Sequence, residues 1–263
     1  MKLGFMQGRL SPIYKNKIQS FPWNNWKEEI KKAQKHKFTL MEWTLDYPNL
    51  RKNPLLKNTS QTLNFIKHNK IQVDSITCDF FMQKPFFKKN YNINDIIFVL
   101  EKLKNTHIKK LVIPLVDNSS IKKIRNKKKI VNQFLKINKI SNNRFKFLFE
   151  SDLKPKSLKK FIELFPSKNF GINYDIGNSA CNGYNIKEEF KLYGEKIYNI
   201  HLKDRKYRDE TIRFGQGNSN FKELFKILKK NKYKKNLILQ SARHKSRHLE
   251  ELILNRKYIE RYL

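Results

Sequence analysis

Cysteine, glycine, proline and acidic side chains are all scarce in this 263-residue chain, and the shortages exclude several classes of protein. Two cysteines, Cys78 and Cys181, cannot build a disulfide framework and fit a reducing cytoplasm. With eight glycines and eight prolines there is no low-complexity tail or linker. The segment Gly4-Phe5-Met6-Gln7-Gly8 is too sparse in glycine for a dinucleotide-binding turn. No apolar stretch approaches the roughly 18 residues of a membrane span. Met1–Met6 runs into Gln7-Gly8-Arg9 without a small-residue cleavage site, so no signal peptide is expected. Acids number 23 against 57 lysines and arginines, a net charge of +34. Such an excess predicts attraction to polyanions. Arginine, the better bidentate reader of phosphates and bases, contributes only 11 of those cations, against 46 lysines. The lysines are spread over helix faces, as in Lys27, Lys31, Lys32, Lys35 and Lys37, and 29 asparagines accompany them. That bias reads as drift towards AT-rich codons, and no specific nucleic-acid partner is expected.

The hydrophobic content, 39% with 20 Phe and 11 Tyr, is enough for a large core. It is organised as eight short apolar runs: Leu3–Met6, Thr39–Trp43, Ile71–Thr77, Lys110–Val116, Phe145–Glu150, Phe170–Asp175, Ile197–Leu202 and Asn236–Gln240. Segments of helical period separate them. Trp26, Ile30 and Ala33 share one face, as do Ile130, Phe134, Ile137 and Ile140, and Leu158, Phe161, Ile162 and Phe165 between Pro155 and Pro166. Strand alternating with helix eight times predicts a parallel sheet, and the length matches one α/β domain, a single (β/α)₈ TIM barrel over residues 1–263. The segment Gly8–Pro22 is long for a βα loop and reads as a substrate lid or an irregular excursion.

Six of the runs end in, or are followed by, Glu42, Asp79, Asp117, Glu150, Asp175 and His201, and the eighth ends in Gln240, at intervals of 25 to 39 residues. Polar groups at the same end of every strand are what a barrel needs to build a site at its C-terminal face. Singly, a carboxylate after a strand is an ordinary helix cap and a histidine an ordinary core residue. Together, Glu150, Asp175, His201 and Gln240 offer two carboxylates, an imidazole and an amide oxygen to a divalent ion with open positions.

The turn Asp175-Ile176-Gly177-Asn178, the segment His201-Leu202-Lys203-Asp204 and Gly215-Gln216-Gly217 before the seventh helix, with the Glu150 strand end, resemble the xylose isomerase-like TIM barrels, the sugar phosphate isomerase/epimerase superfamily. The resemblance covers nearly the whole chain in order. Met6-Gln7-Gly8-Arg9-Leu10-Ser11-Pro12 and Leu239-Gln240-Ser241-Ala242-Arg243 resemble bacterial members associated with surface-sugar biosynthesis. The resemblance implies a divalent metal ion, Mn²⁺ or Mg²⁺ first and Zn²⁺ or Co²⁺ as alternatives, held by Glu150, Asp175, His201 and Gln240. It also implies a small-molecule sugar or sugar phosphate as substrate, with no membrane partner, and is compatible with a homodimer. Carboxylates would move the proton between two adjacent carbons through an enediolate, with Glu150 as ligand and base.

Gln240 departs from the pattern, since epimerising members carry a glutamate there as second base and an amide cannot abstract a proton. Two-base epimerisation is therefore in doubt. One-base isomerisation remains open, with Glu42 as a substitute acid. Losing one carboxylate also leaves the site neutral around a divalent ion, and Arg9, Lys203, Arg205 and Arg243 then predict tolerance of an anionic sugar. Asp79 and Asp117 are expected to bond substrate hydroxyls or cap loops. Trp23, Trp26, Phe81, Phe86 and Phe87 are expected to pack more than to stack on sugar. Gly215-Gln216-Gly217 either presents N–H groups to a phosphate or makes a turn. Two rivals stand beside the isomerase: a non-catalytic sugar-binding descendant, motivated by Gln240, and a metal-dependent abasic-site endonuclease, motivated by the charge. Of six histidines, only His201 ends an expected strand, which is poor provision for a multinuclear zinc cluster.

Overall fold

The computed structural model describes residues 1–14, 17, 19–88, 93–166, 168–242 and 246–263. Eight parallel strands close into a barrel: β1 (Lys2–Met6), β2 (Leu40–Leu45), β3 (Gln72–Cys78), β4 (Lys110–Leu115), β5 (Lys146–Ser151), β6 (Phe170–Asp175), β7 (Ile197–Leu202) and β10 (Asn236–Leu239). Two short antiparallel strands, β8 (Asp204–Arg205) and β9 (Thr211–Ile212), form a hairpin just beyond β7. Closure is made where β1 pairs with both β10 and β2, which removes every edge from the sheet. The expected (β/α)₈ barrel is the fold.

Each strand is buried on both faces, and side chains alternate between the barrel interior and the helices. Trp43, Phe147 and Phe149 point outwards and join the main core, where Phe134 stands 5.0 Å from Phe149 and Phe149 lies 5.4 Å from Phe161. Those helix residues are the periodic stripes of Lys128–Ile140 and Pro155–Glu163. Inside the barrel, Met6, Leu40 and Ile238 form a small separate apolar cluster. Most other inward positions are polar: Glu42, Ser75, Asn173, Asn199 and His201 are all fully or nearly fully buried. A barrel interior can carry so many polar groups only if they satisfy one another.

The register moves one sequence expectation. Glu42 does not end β2; it lies mid-strand, opposite Ser75, and the strand runs two residues further than the apolar run to Leu45. Asp46 is the acid that follows the strand, and its Oδ2 accepts the Phe21 N–H at 2.9 Å. Both ends of the Gly8–Pro22 segment are packed, with Leu10, Ser11, Ser20 and Phe21 buried, while Pro12 and Lys17 between them are exposed. Buried Glu29 accepts hydrogen bonds from the N–H groups of Gly8 and Leu10, pinning the start of that segment against the helix Trp26–Lys35.

Candidate active site

A cavity of about 450 Å³ opens at the C-terminal end of the barrel strands. Arg9, Asp79, Asp117, Glu150, Lys203, Arg205 and Gln240 line it, so seven of the anticipated site residues converge as a barrel requires. Its described lining contains no aromatic side chain. Trp23, Trp26, Phe81, Phe86 and Phe87 instead pack against Phe21, Trp43, Phe80, Phe134 and one another. Arg243 lies outside the described residues.

Beside the cavity, Asp175 and His201 join the lining residue Glu150 in a buried group whose ligand atoms all lie within 4.8 Å of one another. Asp175 serves as a helix cap and still has an oxygen to spare. Its Oδ1 accepts the Asn178 N–H at 2.9 Å at the start of Ile176–Cys181, while Oδ2 faces Lys203 Nζ at 2.7 Å. Lys203 reaches that oxygen by passing over Gly177, where a Cβ would sit 2.8 Å from Lys203 Cβ. Hence the spacing of the Asp-x-Gly-Asn turn and the His-x-Lys-Asp segment reflects one contact between them.

Glu150 is fixed on both oxygens: Asn178 Nδ2 donates to Oε1 at 2.8 Å and Asn173 Nδ2 to Oε2 at 2.9 Å. Asn199 Nδ2 donates to Asn173 Oδ1 and to Glu42 Oε2, and Ser75 Oγ donates to Glu42 Oε2 at 2.7 Å. His201 closes the ring. Its Nε2 lies 2.7 Å from Glu42 Oε1, and its Nδ1 lies 3.0 Å from Glu150 Oε2 without the direction of a hydrogen bond. Burial alone would depress the imidazole, but Glu42 and Glu150 raise it to about 10.

Two buried atoms of these residues therefore lack hydrogen-bond partners, His201 Nδ1 and Gln240 Oε1, while Asp175 Oδ2 is held by the Lys203 ammonium alone. The Gln240 amide is held from its other end, with Nε2 3.4 Å from Met6 Sδ. With Glu150 these make an N,O donor set suited to a divalent ion, and leaving such atoms unpaired in a buried site is costly unless something binds them.

Glu42 is brought to the site but behind it. It is fully buried, does not line the cavity, and spends both oxygens on His201, Ser75 and Asn199. That is the placement of a carboxylate that orients a histidine ligand. The Gly215-Gln216-Gly217 turn resolves in the same way. Asp204 Oδ2 accepts the N–H groups of Gly215 and Gly217 at 2.8 and 3.0 Å, and Oδ1 accepts that of Ser219 at 3.0 Å. A Cβ at Gly217 would stand 2.2 Å from Asp204 Oδ1. The segment makes a turn around its own aspartate and has no N–H groups at Gly215 or Gly217 left for a phosphate.

Several residues in the cavity or behind it lie outside the row of strand ends. Asn173 and Asn199 sit two positions before Asp175 and His201, so the period of two would have placed them inside the barrel. Lys122 and Asn182 come from loops, where no period operates; Lys122 Nζ lies 3.1 Å from Asn182 Oδ1 and 3.4 Å from Asp152 Oδ2. Arg205 Nη1 donates to Asn178 Oδ1 at 3.0 Å, and Arg9 Nη2 to Gln19 Oε1 at 2.8 Å. Asp117 stands exposed at the mouth with a φ of 50°.

Comparison with known proteins agrees with this architecture. A putative L-ribulose-5-phosphate 3-epimerase of Haemophilus influenzae is 36% identical over 109 residues, 38% of each chain. The chain matches less than two-fifths of the length of its curated relatives. A xylose isomerase domain protein from Planctomyces limnophilus superposes with a TM-score of 0.77 at 14% identity, covering 99% of this chain and 96% of that one. The IolI protein, solved with a bound zinc atom, superposes with a TM-score of 0.74 at 17% identity, covering 100% and 99%. Residues 30–258 match the profile of the xylose isomerase-like TIM barrel family, and with the closed barrel around them they establish that the chain belongs to that family.

Proposed function

We propose that the protein is a metal-dependent isomerase or epimerase of a sugar or sugar phosphate, acting by proton transfer at a carbon beside a carbonyl. The observation that carries this reading is the clustering of Asp175 and His201 with Glu150, which lines a polar cavity together with Gln240, and the buried, unpartnered His201 Nδ1 and Gln240 Oε1. A divalent ion there, Mn²⁺ or Mg²⁺ with Zn²⁺ or Co²⁺ as alternatives, would supply Lewis-acid polarisation of a carbonyl and its neighbouring hydroxyl.

The chain's own residues do the rest. Asn173 and Asn178 hold the Glu150 carboxylate in one orientation, so it can remove a carbon-bound proton and return it. Glu42 holds the His201 ring through Nε2 and leaves Nδ1 facing the ligand set. Gln240 contributes an amide oxygen and no base, which favours one-base isomerisation over two-base epimerisation. Arg9, Lys122, Lys203 and Arg205 line the cavity with Asp79, Asp117, Glu150 and Asp152, so a bound divalent ion would leave the wall positive whether or not Asp79 is charged. That sign suits an anionic substrate, in keeping with a relative named for a phosphorylated ketopentose. Asp117 and Arg205 would bond the outer hydroxyls or phosphate.

The test combines metal stoichiometry with proton exchange. Protein loaded with Mn²⁺ or Mg²⁺ is incubated in D₂O with L-ribulose 5-phosphate and D-fructose 6-phosphate and followed by NMR. One ion per chain and deuterium at the carbon beside the carbonyl are expected, both abolished by chelation, and exchange is abolished by Glu150→Gln. A metal-loaded protein that exchanges no such proton would refute the reading.

A further inference from the structure

Replacing the expected acid by Gln240 leaves the cavity with Glu150 as its base and no obvious group to handle the oxygen-bound protons. Asp79 has the geometry for that task. It follows β3 directly, lines the cavity, and is 3% exposed. Thr77, two positions earlier on the same inward face, donates from Oγ1 to Asp79 Oδ1 at 3.0 Å. The other oxygen, Oδ2, is buried and has no hydrogen bond of good geometry, the Gln19 amide being the polar group that approaches the carboxyl.

The ordinary role of an aspartate in this position is to cap the helix that follows. Asp79 does precede the helical turn Phe80–Gln83, yet its side chain makes no capping bond there. Its carboxyl lies against the cavity instead. The other buried or half-buried carboxylates of the lining are committed elsewhere. Glu150 takes two amides, and Asp152 takes Ser120 and Lys122. Among the described residues, no cation forms an ion pair with Asp79.

A buried carboxyl without a cation is driven towards its neutral form. Burial pushes Asp79 up to about 7, the Gln19 amide and Thr77 hydroxyl offset part of that, and the charges of Asp46 and Glu150 add to it. A group poised between acid and base near neutrality is what proton transfer to and from oxygen requires.

We propose that Asp79 is the second proton-transfer residue of this site, serving the oxygens while Glu150 serves the carbons. The Glu150 carboxylate takes the proton from the hydroxyl-bearing carbon, and that electron pair forms the carbon–carbon double bond as the carbonyl opens. Neutral Asp79 gives its proton to the carbonyl oxygen, leaving an enediol. The Asp79 carboxylate then takes the proton of the neighbouring hydroxyl as its C=O bond forms. Glu150 returns its proton to the former carbonyl carbon. Both residues finish as they began, and the net change is an aldose–ketose interchange that needs no second base at position 240.

This inference rests on the isomerase reading, and the exchange assay separates the two. With the sugar phosphates above, metal-loaded wild-type protein is expected to interconvert ketose and aldose and to incorporate deuterium. Asp79→Asn is expected to lose turnover by about 10²-fold or more. Deuterium washout at the carbon should stay within about tenfold of wild type. Glu150→Gln loses both, and Asp79→Glu regains part of the turnover. Circular dichroism and thermal melting check that the variants fold. If Asp79→Asn turns over within threefold of wild type, or loses washout and turnover in equal proportion, Asp79 does not have this role. An epimer in place of an aldose as the wild-type product also overturns the inference while leaving the broader class intact. Absence of any wild-type exchange overturns both.

Discussion

Replacing Glu42 distinguishes a carboxylate that positions a ligand from one that moves a substrate proton. Glu42 is fully buried and accepts from Ser75, Asn199 and His201. Glu42→Ala would strand three buried polar groups at roughly 1–3 kcal/mol each, a large share of the roughly 5–15 kcal/mol that hold a domain together. Glu42→Gln is the informative change, because it keeps the shape and one acceptor oxygen. The amide satisfies His201 or the Asn199–Ser75 pair, leaving about one mismatched contact and about 1–3 kcal/mol of destabilisation. At this chain length that lowers Tm by on the order of 2–12 °C. Loss of the outer carboxylate should weaken metal binding by about 10- to 100-fold. Calorimetric titration with Mn²⁺ and a thermal melt read both quantities. Unchanged metal affinity would refute the assignment of Glu42 as the residue that orients His201. Full metal binding with proton exchange abolished would instead make it the acid that its sequence position suggested.

Other expectations follow from single contacts. Lys203 Nζ pairs with the Asp175 oxygen that a metal would use, so Lys203→Met is expected to tighten metal binding severalfold in the absence of substrate while weakening binding of phosphorylated sugars; equal or weaker metal binding by titration would contradict it. Gly217→Ala drives a methyl into Asp204, so it should open the turn after the β8–β9 hairpin and cost about 1–3 kcal/mol by urea denaturation. In metal-free protein His201 is raised from 6.5 to about 10, a contribution fully present below pH 6.5 and lost as pH rises through 10; stability should fall over that window, and less so in Glu42→Gln. Asp79 is raised from 3.8 to about 7, so its burial penalises the folded state increasingly from pH 4 and fully above 7. Asp79→Asn should therefore stabilise the protein at pH 8, with about 4 kcal/mol as a ceiling, and hardly at all at pH 4.

Much of the barrel could be read in one dimension because its signals are local. Eight apolar runs and the stripes between them, such as Ile130–Phe134–Ile137, follow from the two- and 3.6-residue periods of strand and helix. Glu150, Asp175 and His201 were visible for the same reason, since residues at strand ends share a face once the sheet closes. The sequence shows Glu42 as a strand acid but not its depth within β2. Polar residues inside the barrel break the apolar run, so Thr44 disguised the last two positions of β2.

The inward asparagines, Asn173 and Asn199, are silent in the sequence because a buried amide has no composition signature of its own; only its partners give it meaning. Those partners lie 23 to 157 residues away along the chain. Sequence alone determined the fold class, the order of its elements and the donor types along one rim, because these depend on periodicity and spacing. Tertiary structure alone decided which rim residues face the cavity and which stand behind it, as with Asp79 and Glu42. It also decided which N–H groups are already spent, as in the Gly215–Gly217 turn. Those outcomes depend on strand register and on hydrogen bonds between distant residues, and no local pattern in the chain encodes either.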